Sequence, residues 1–218
     1  NKDKVNTIIK SLKMNHNLSF KWKKEIKQDW NLKWRKYFTP INIDGIIEIQ
    51  PDWKKDDSSP ASTAFIRPGM SFGTGHHETT YLMIKSLIKY KEDSGSLLDL
   101  GSGSGILSIV GSKLGYQDIM AIENDENCID DFNYNLKINN CDDKIKIAWN
   151  NVLDWNDYDY DYIVANIDKR IIIKIIRNVE SSKGIFIFSG LLIEDENEIV
   201  EMLTNHNFSI KKINKMNE

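Results

Sequence analysis

The spacing of apolar residues changes near residue 60 of the chain. Before that point apolar side chains recur at helical spacing through residues 3–38, which predicts a helical arm. Its second half carries an apolar row at four-residue intervals: Trp22, Ile26, Trp30, Trp34 and Phe38. Thr39-Pro40 ends the helical pattern, because proline disfavours helical backbone in the residue before it. Isoleucines on both sides of Asp44-Gly45 then predict a short hairpin, and polar residues 51–62 read as a linker.

After residue 60, short apolar runs alternate with amphipathic segments. Strands are predicted at Ser96–Leu100, Ile119–Glu123, Ile145–Trp149, Tyr162–Ile167, Ile185–Phe188 and Phe208–Ile213. Helices are predicted at Thr80–Lys89, Ile106–Leu114, Asn127–Ile138, Ile171–Val179 and Glu194–Thr204. This alternation predicts an α/β fold with a doubly wound, mainly parallel, Rossmann-like sheet. The chain therefore divides into an N-terminal arm, hairpin and linker (1–60) and a sheet domain (61–218).

Composition narrows the class of protein. Hydrophobic residues make up 40% of the 218 and charged residues 28%, which is typical of a folded globular chain. No apolar run approaches the ~20 residues that a membrane-spanning helix needs. The two cysteines are too few for a disulfide scaffold, so a reducing, cytoplasmic location is expected.

Charge is distributed unevenly between the two parts of the chain. Residues 1–38 hold 11 basic and 3 acidic side chains, a net charge of +8, whereas the remainder carries −11. A basic arm on an acidic body favours contact with an anionic partner, and RNA is the obvious one. A solvated helix face with scattered lysines explains the same residues equally well.

The sharpest chemical signal follows the strand Ser96–Leu100. Residues 101–105 read Gly-Ser-Gly-Ser-Gly, and a helix follows, so a ligand can approach the backbone closely. The dinucleotide fingerprint needs its third glycine at position 106, which is Ile106, and this argues against NAD or FAD. A phosphate loop is excluded too, because no Lys-Ser/Thr pair follows the glycines. The spacing therefore favours a ligand without a pyrophosphate group.

Two of the other predicted strands end in polar residues. Glu123 closes the second strand, 22 residues after Gly101, where a carboxylate can accept hydrogen bonds from ribose hydroxyls. Asn166 ends the fourth strand, and its carboxamide oxygen could orient a substrate amine. A helix cap is the competing explanation for Asn166.

The loop before the first sheet helix contains His76, His77 and Glu78. Adjacent residues cannot readily share one ion and no HExxH pattern follows, so no metal site is expected. A loop that covers the glycine turn is the better interpretation.

These motifs together resemble a known family. The Asp-Leu-Gly-Ser-Gly-Ser-Gly run resembles motif I of class I methyltransferases, which bind S-adenosylmethionine. Residues 68–80, Ala165-Asn166-Ile167 and Ser189-Gly190-Leu191-Leu192 are similar to the PrmA family, bacterial methyltransferases of large-subunit ribosomal protein eleven. Two positions depart from the family pattern: Glu123 replaces the usual aspartate, and Asp168 stands where an apolar residue is favoured.

The resemblance implies a site and a reaction. Phe72 and Thr80 flank the cofactor, Gly101 and Gly103 approach its methionine portion, Glu123 holds the ribose, and Asn166 with Ile167 lies beside the reactive methyl group. The implied reaction moves methyl groups from S-adenosylmethionine to amino groups, either a lysine side chain or an N-terminal amine, of a ribosomal protein. The alternatives are methylation of RNA or a small molecule, and a non-catalytic fold that serves as a binding module.

Overall fold

A five-stranded parallel sheet forms the body of the protein. The computed structural model describes residues 39–68, 78–92 and 95–216, so the arm predicted over residues 3–38, with its tryptophans, lies outside the described residues. The strands are β4 (Ser96–Leu100), β5 (Gln117–Glu123), β6 (Ile145–Trp149), β7 (Tyr162–Asn166) and β8 (Ile185–Ser189). Their order is β6-β5-β4-β7-β8, and every neighbouring pair is parallel, which confirms the predicted sheet.

Helices cover both faces of this sheet. They are α1 (Glu78–Tyr90), α2 (Ile106–Leu114), α3 (Ile129–Ile138), α4 (Lys169–Asn178) and α5 (Glu196–Asn205). Side chains of successive strand residues point to opposite faces, so Leu97 packs with α1, α2 and α3 while Leu98 packs with α4. Helix α5 packs on α4 through Ile199. The two covered faces confirm the doubly wound architecture.

The predicted hairpin precedes the large sheet. Strand β1 (Ile41–Ile43) pairs antiparallel with β2 (Ile47–Pro51). Asp44 and Gly45 at the turn have φ of 53° and 70°, as a two-residue turn of type I′ requires, and the Ile46 N–H closes the turn on the Ile43 carbonyl at 3.0 Å.

The pattern missed a third strand of the small sheet. Strand β3 (Thr63–Ile66) pairs in parallel with β2 and follows directly on the predicted linker. Ile43 and Ile47 are almost fully buried in one core with Met83 and Ile84 of α1. The domain boundary near residue 60 stays a prediction, and the hairpin contributes to the core beneath the large sheet.

The strand predicted at Phe208–Ile213 is wrong. Residues 208–216 form no regular structure, and β8 ends the sheet without a further strand among the described residues. A strand needs a neighbour to accept its backbone hydrogen bonds. Here the Phe208 N–H bonds to the Leu203 carbonyl at 2.9 Å, and its ring meets Phe186 edge-on at 5.1 Å. A groove of about 750 Å³ runs between this segment and the free edge of β8.

Within the described ranges, none of the helices combines the length and the apolar character that crossing a bilayer would require. Cys128 and Cys141 are both buried, and neither forms a disulfide.

The shared core predicts that the hairpin contributes to global stability. Ile43→Ala removes a side chain that is 1% exposed and should lower the free energy of unfolding by about 2–4 kcal/mol. Ile46→Ala, at a residue that is 47% exposed in the same turn, should change it by less than about 1 kcal/mol. Urea denaturation of both variants measures the difference. Equal, small losses would contradict a common core.

Candidate active site

Three glycines shape the turn between β4 and α2. Gly101, Gly103 and Gly105 have φ of 75°, 53° and 80°, a region that other residues enter only with strain. The N–H groups of Gly101 and Ser102 both donate to the Ile122 carbonyl, at 2.9 and 3.1 Å, so the turn begins against strand β5. The Gly105 N–H then closes it on the Ser102 carbonyl at 2.8 Å.

Side chains from both neighbouring strand–helix units press against this turn. A Cβ on Gly101 would lie 2.4 Å from Cγ2 of Ile167, which follows β7. A Cβ on Gly105 would lie 2.9 Å from the ring of Phe132 on α3. Glycine is therefore required at these positions for space as well as for backbone conformation.

Glu123 is fixed by three backbone donors. Its Oε2 accepts the Gly103 N–H at 2.8 Å, and its Oε1 accepts the N–H groups of Asn124 and Asp125, also at 2.8 Å. The side chain is 8% exposed. A carboxylate oxygen can accept two hydrogen bonds, so Oε2 keeps capacity for one further donor. The contact with Gly103 joins two predicted site residues and was not foreseen from the sequence.

Asn166 and Thr80 meet across 86 residues of sequence. Asn166 Nδ2 donates to Thr80 Oγ1 at 3.3 Å, and both residues are buried. Among the described residues, Asn166 Oδ1 has no hydrogen-bond partner. A buried acceptor without a partner costs about 1–3 kcal/mol, which a bound donor would recover. Helix capping, the competing explanation for Asn166, is the role of Asp168 instead, whose Oδ1 accepts the Arg170 N–H at 2.9 Å.

The loop after β8 approaches Ile167 from the other side. Asn166 lies opposite Ser189 in the β7–β8 register, and Gly190 follows with φ of 82°. A Cβ on Gly190 would lie 2.4 Å from the Ile167 carbonyl oxygen. The sequence marked Gly190 only as part of a family motif, and its close approach to Ile167 is a finding of the structure.

The buried carboxyl group of Asp99 links the strand before the glycine turn to the helix after it. Asp99, two residues before Gly101, accepts hydrogen bonds at Oδ2 from the Ser108 hydroxyl at 2.6 Å and the Ser108 N–H at 3.1 Å. These contacts hold the first turn of α2 against β4. Burial raises the pKa of Asp99 to about 7, and the nearby carboxylate of Glu123 adds to the rise.

The predicted site residue Phe72 lies outside the described residues, as do His76 and His77, for which no metal-binding role was expected. Glu78 begins α1 and is exposed. Across the described ranges, no three His, Cys, Asp or Glu side chains cluster closely enough to hold a metal ion.

The groove beside β8 is separate from the residues gathered around the glycine turn. Thr79, Ser189 and Leu191 line it, whereas Gly101, Glu123 and Asn166 do not. Gly101, Glu123 and Asn166 lie instead at the carboxyl ends of β4, β5 and β7, where open parallel sheets bind their ligands.

A parallel five-stranded sheet with a glycine turn after its central strand is the Rossmann-like architecture of methyltransferases. A family model described as Ribosomal protein L11 methyltransferase (PrmA) matches residues 1–218. The chain belongs to this family, which confirms the resemblance seen in the sequence.

Individual relatives agree with this assignment. The ribosomal protein L11 methyltransferase of Clostridium perfringens is 35% identical over 199 residues, which are 89% of this chain and 63% of the relative. That of Bacillus cereus is 33% identical over 197 residues, with 88% and 63% covered. The chain thus spans less than two thirds of the length of these curated relatives.

A solved structure shares the fold. The crystal structure of ribosomal protein L11 methylase from Lactobacillus delbrueckii subsp. bulgaricus superposes with a TM-score of 0.74 at 27% identity. The superposition covers 83% of this chain and 94% of that one.

The raised pKa of Asp99 predicts a pH-dependent stability. Between pH ~4 and pH ~7 the folded state keeps a proton on Asp99 that the unfolded state, with a pKa near 3.8, has released. The unfolded state then binds fewer protons, so stability should fall as pH rises through this window and level off above it. Residue 99 cannot titrate in Asp99→Asn. Across this pH window, the free energy of unfolding of the wild type should therefore fall, relative to that of the variant, by up to a few kcal/mol.

Urea denaturation of wild type and Asp99→Asn at several pH values between 4.5 and 8 measures this difference. Two stability profiles that run parallel across the range would show that Asp99 does not titrate there.

Proposed function

We propose that this chain transfers methyl groups from S-adenosylmethionine to amino groups of a ribosomal protein, on a lysine side chain or an N-terminal amine. The observation that carries the proposal is the buried carboxamide of Asn166. Thr80 engages its nitrogen at 3.3 Å, while its oxygen remains an unpartnered acceptor among the described residues, beside the glycine turn. Membership of the L11 methyltransferase family supports the choice of substrate.

The residues present fit S-adenosylmethionine. We expect its methionine portion to approach the backbone of Gly101 and Gly103, where no side chain of the turn projects. Glu123 can accept a ribose hydroxyl with the remaining capacity of Oε2. The family resemblance implies that Thr80 and Phe72 flank the cofactor. When bound, S-adenosylmethionine supplies an electrophilic methyl group on a cationic sulfonium, which is also the leaving group.

The protein's contribution is positioning and desolvation rather than acid–base chemistry. An amine attacks only when neutral, and a free lysine has a pKa near 10.4. Burial and a nearby positive charge both favour the neutral form. Asn166 cannot accept a proton at neutral pH, so the released proton goes to water. Asn166 Oδ1, with the backbone carbonyl of Ile167, accepts hydrogen bonds from the amine and aims its lone pair.

For substrate docking we propose a region of the chain rather than individual residues. The basic arm over residues 1–38 offers a contact for ribosomal RNA next to the protein substrate. We expect the reaction in the cytoplasm, where ribosomal proteins are made.

Mass spectrometry of candidate substrates tests the proposed activity. The chain is incubated with methyl-labelled S-adenosylmethionine and either purified ribosomal protein L11 or a ribosomal extract. We expect label in protease-sensitive material and a mass increase of whole methyl groups on L11. Label removed by nuclease would point to RNA as acceptor, and failure to bind S-adenosylmethionine at millimolar concentration would point to a binding module.

Asn166→Ala separates catalysis from cofactor binding. Removing the carboxamide oxygen should lower turnover at least about tenfold, because the amine loses its orienting acceptor. Affinity for S-adenosylmethionine should stay within a few-fold. Asn178→Ala, at an exposed asparagine that ends α4, serves as the control and should change neither quantity. Equal losses of turnover and affinity would refute the orienting role.

Glu123→Ala tests the ribose contact. The variant loses a hydrogen-bond acceptor for the ribose and the anchor of the Gly103 N–H, so cofactor affinity should fall about tenfold or more. Glu126→Ala removes an exposed carboxylate three residues further on and should leave affinity unchanged. Calorimetry that gives wild-type affinity for Glu123→Ala would remove this residue from the site.

A further inference from the structure

Two buried asparagines, Asn135 on α3 and Asn139 at its C-terminal cap, bond to the edge of strand β3 that no other described strand covers. Strand β3 is the edge of its sheet, yet Asn139 Oδ1 accepts the Phe65 N–H at 2.9 Å and Asn139 Nδ2 donates to the Phe65 carbonyl at 2.6 Å. One helical turn earlier, Asn135 Oδ1 accepts the N–H of Arg67 at 2.8 Å. Both asparagines thus satisfy backbone groups that another strand would otherwise bind.

Of these two asparagines, Asn135 also bonds to the glycine turn. Its Nδ2 donates to the carbonyl of Ser104 at 2.9 Å, and Ser104 lies inside the glycine turn. A single carboxamide, with no exposed surface, therefore joins the end of β3 to the turn. The side chain of Asn139 bonds instead to the Phe65 backbone and to the Asn135 carbonyl.

We propose that Asn135 is a positioning residue for S-adenosylmethionine, acting through the backbone of the glycine turn. This inference rests on the proposed function of the same site. Gly103 is held by Glu123 on the β5 side, and the next residue, Ser104, is held by Asn135 on the α3 side. The peptide group before Gly103 and the one after Ser104 are thereby fixed before a ligand binds.

The physical reason is conformational entropy. Glycines in the left-handed region reach many other conformations at little cost, so a turn of three glycines has little intrinsic preference for one shape. Each hydrogen bond from a rigid neighbour removes part of that freedom in advance, and a preorganised site binds its ligand more tightly. Helix α3 also places Phe132 against Gly105, so the helix contacts the turn at two adjacent residues.

The oxygen of the Asn135 carboxamide accepts its hydrogen bond from Arg67, which is itself held in place. The guanidinium of Arg67 lies 3.3 Å from the ring centroid of Tyr134 on α3, and its side chain also approaches Asp131 at 3.7 Å and Asp52 at 3.8 Å. These contacts keep the end of β3 on α3. The donor that fixes Asn135 Oδ1 is therefore itself fixed, and this determines where Nδ2 points.

A matched pair of substitutions tests the proposal: Asn135→Asp and Asn139→Asp. Each preserves an acceptor for the β3 N–H and replaces an amide donor with a carboxylate oxygen that faces a carbonyl. Both variants should therefore lose stability, because each places a carboxylate at a buried position, one on α3 and one at its C-terminal cap. Only in Asn135→Asp does the new carboxylate face a carbonyl of the glycine turn, that of Ser104.

The readout is the dissociation constant for S-adenosylmethionine, measured by calorimetry at a temperature where circular dichroism shows all proteins folded. We expect affinity about tenfold or more weaker for Asn135→Asp and within about threefold of wild type for Asn139→Asp. In kinetic assays, Asn135→Asp should raise KM for the cofactor and leave kcat at saturation nearly unchanged. If Asn135→Asp does not fold, Asn135→Ala and Asn139→Ala provide the same comparison.

The outcomes separate this inference from the proposed function. Equal losses of affinity in the two variants, or no loss in either, would overturn the positioning role of Asn135. The proposed function would still stand if the wild type bound S-adenosylmethionine. Absence of binding by the wild type would overturn both.

Discussion

The glycine turn after β4 must present bare backbone to a ligand and still keep its own peptide groups in place. The Glu123 carboxylate meets this requirement on one side, because it accepts the Gly103 N–H at 2.8 Å while two further backbone N–H groups hold it in turn. Ile167 packs against Gly101 on the other side. These contacts exist because β4 is the central strand, so the ends of β5 and β7 lie beside its own end. Both contacts therefore depend on this strand order.

Much of this arrangement could be predicted from local patterns. The apolar run at Ser96–Leu100 and the helix at Ile106–Leu114 have the bounds that the pattern predicted, because glycines mark both ends of the helix. Parallel strands bring their carboxyl ends to one edge of a sheet, which is why Gly101, Glu123 and Asn166 lie at the same edge. The roles assigned to these residues remain proposals that binding and kinetic measurements must test.

Non-local pairing explains what the pattern missed. Strand β3 is four residues long, too short for a periodic signal, and exists because β2 pairs with it. The run Phe208–Ile213 has a strand-like pattern but no partner strand among the described residues. The contact of Thr80 with Asn166, like that of Asn135 with Ser104, joins residues far apart in sequence, so no local pattern could indicate it.

A structure of this chain bound to S-adenosylhomocysteine, the product form of the cofactor, tests the assignment of the site most directly. We predict ribose hydroxyls within hydrogen-bond distance of Glu123, the amino-acid portion over Gly101 and Gly103, and Asn166 Oδ1 on the side where the methyl group would project. A ligand seated in the groove along β8, or bound away from both Glu123 and Asn166, would contradict the proposed methyl-transfer site.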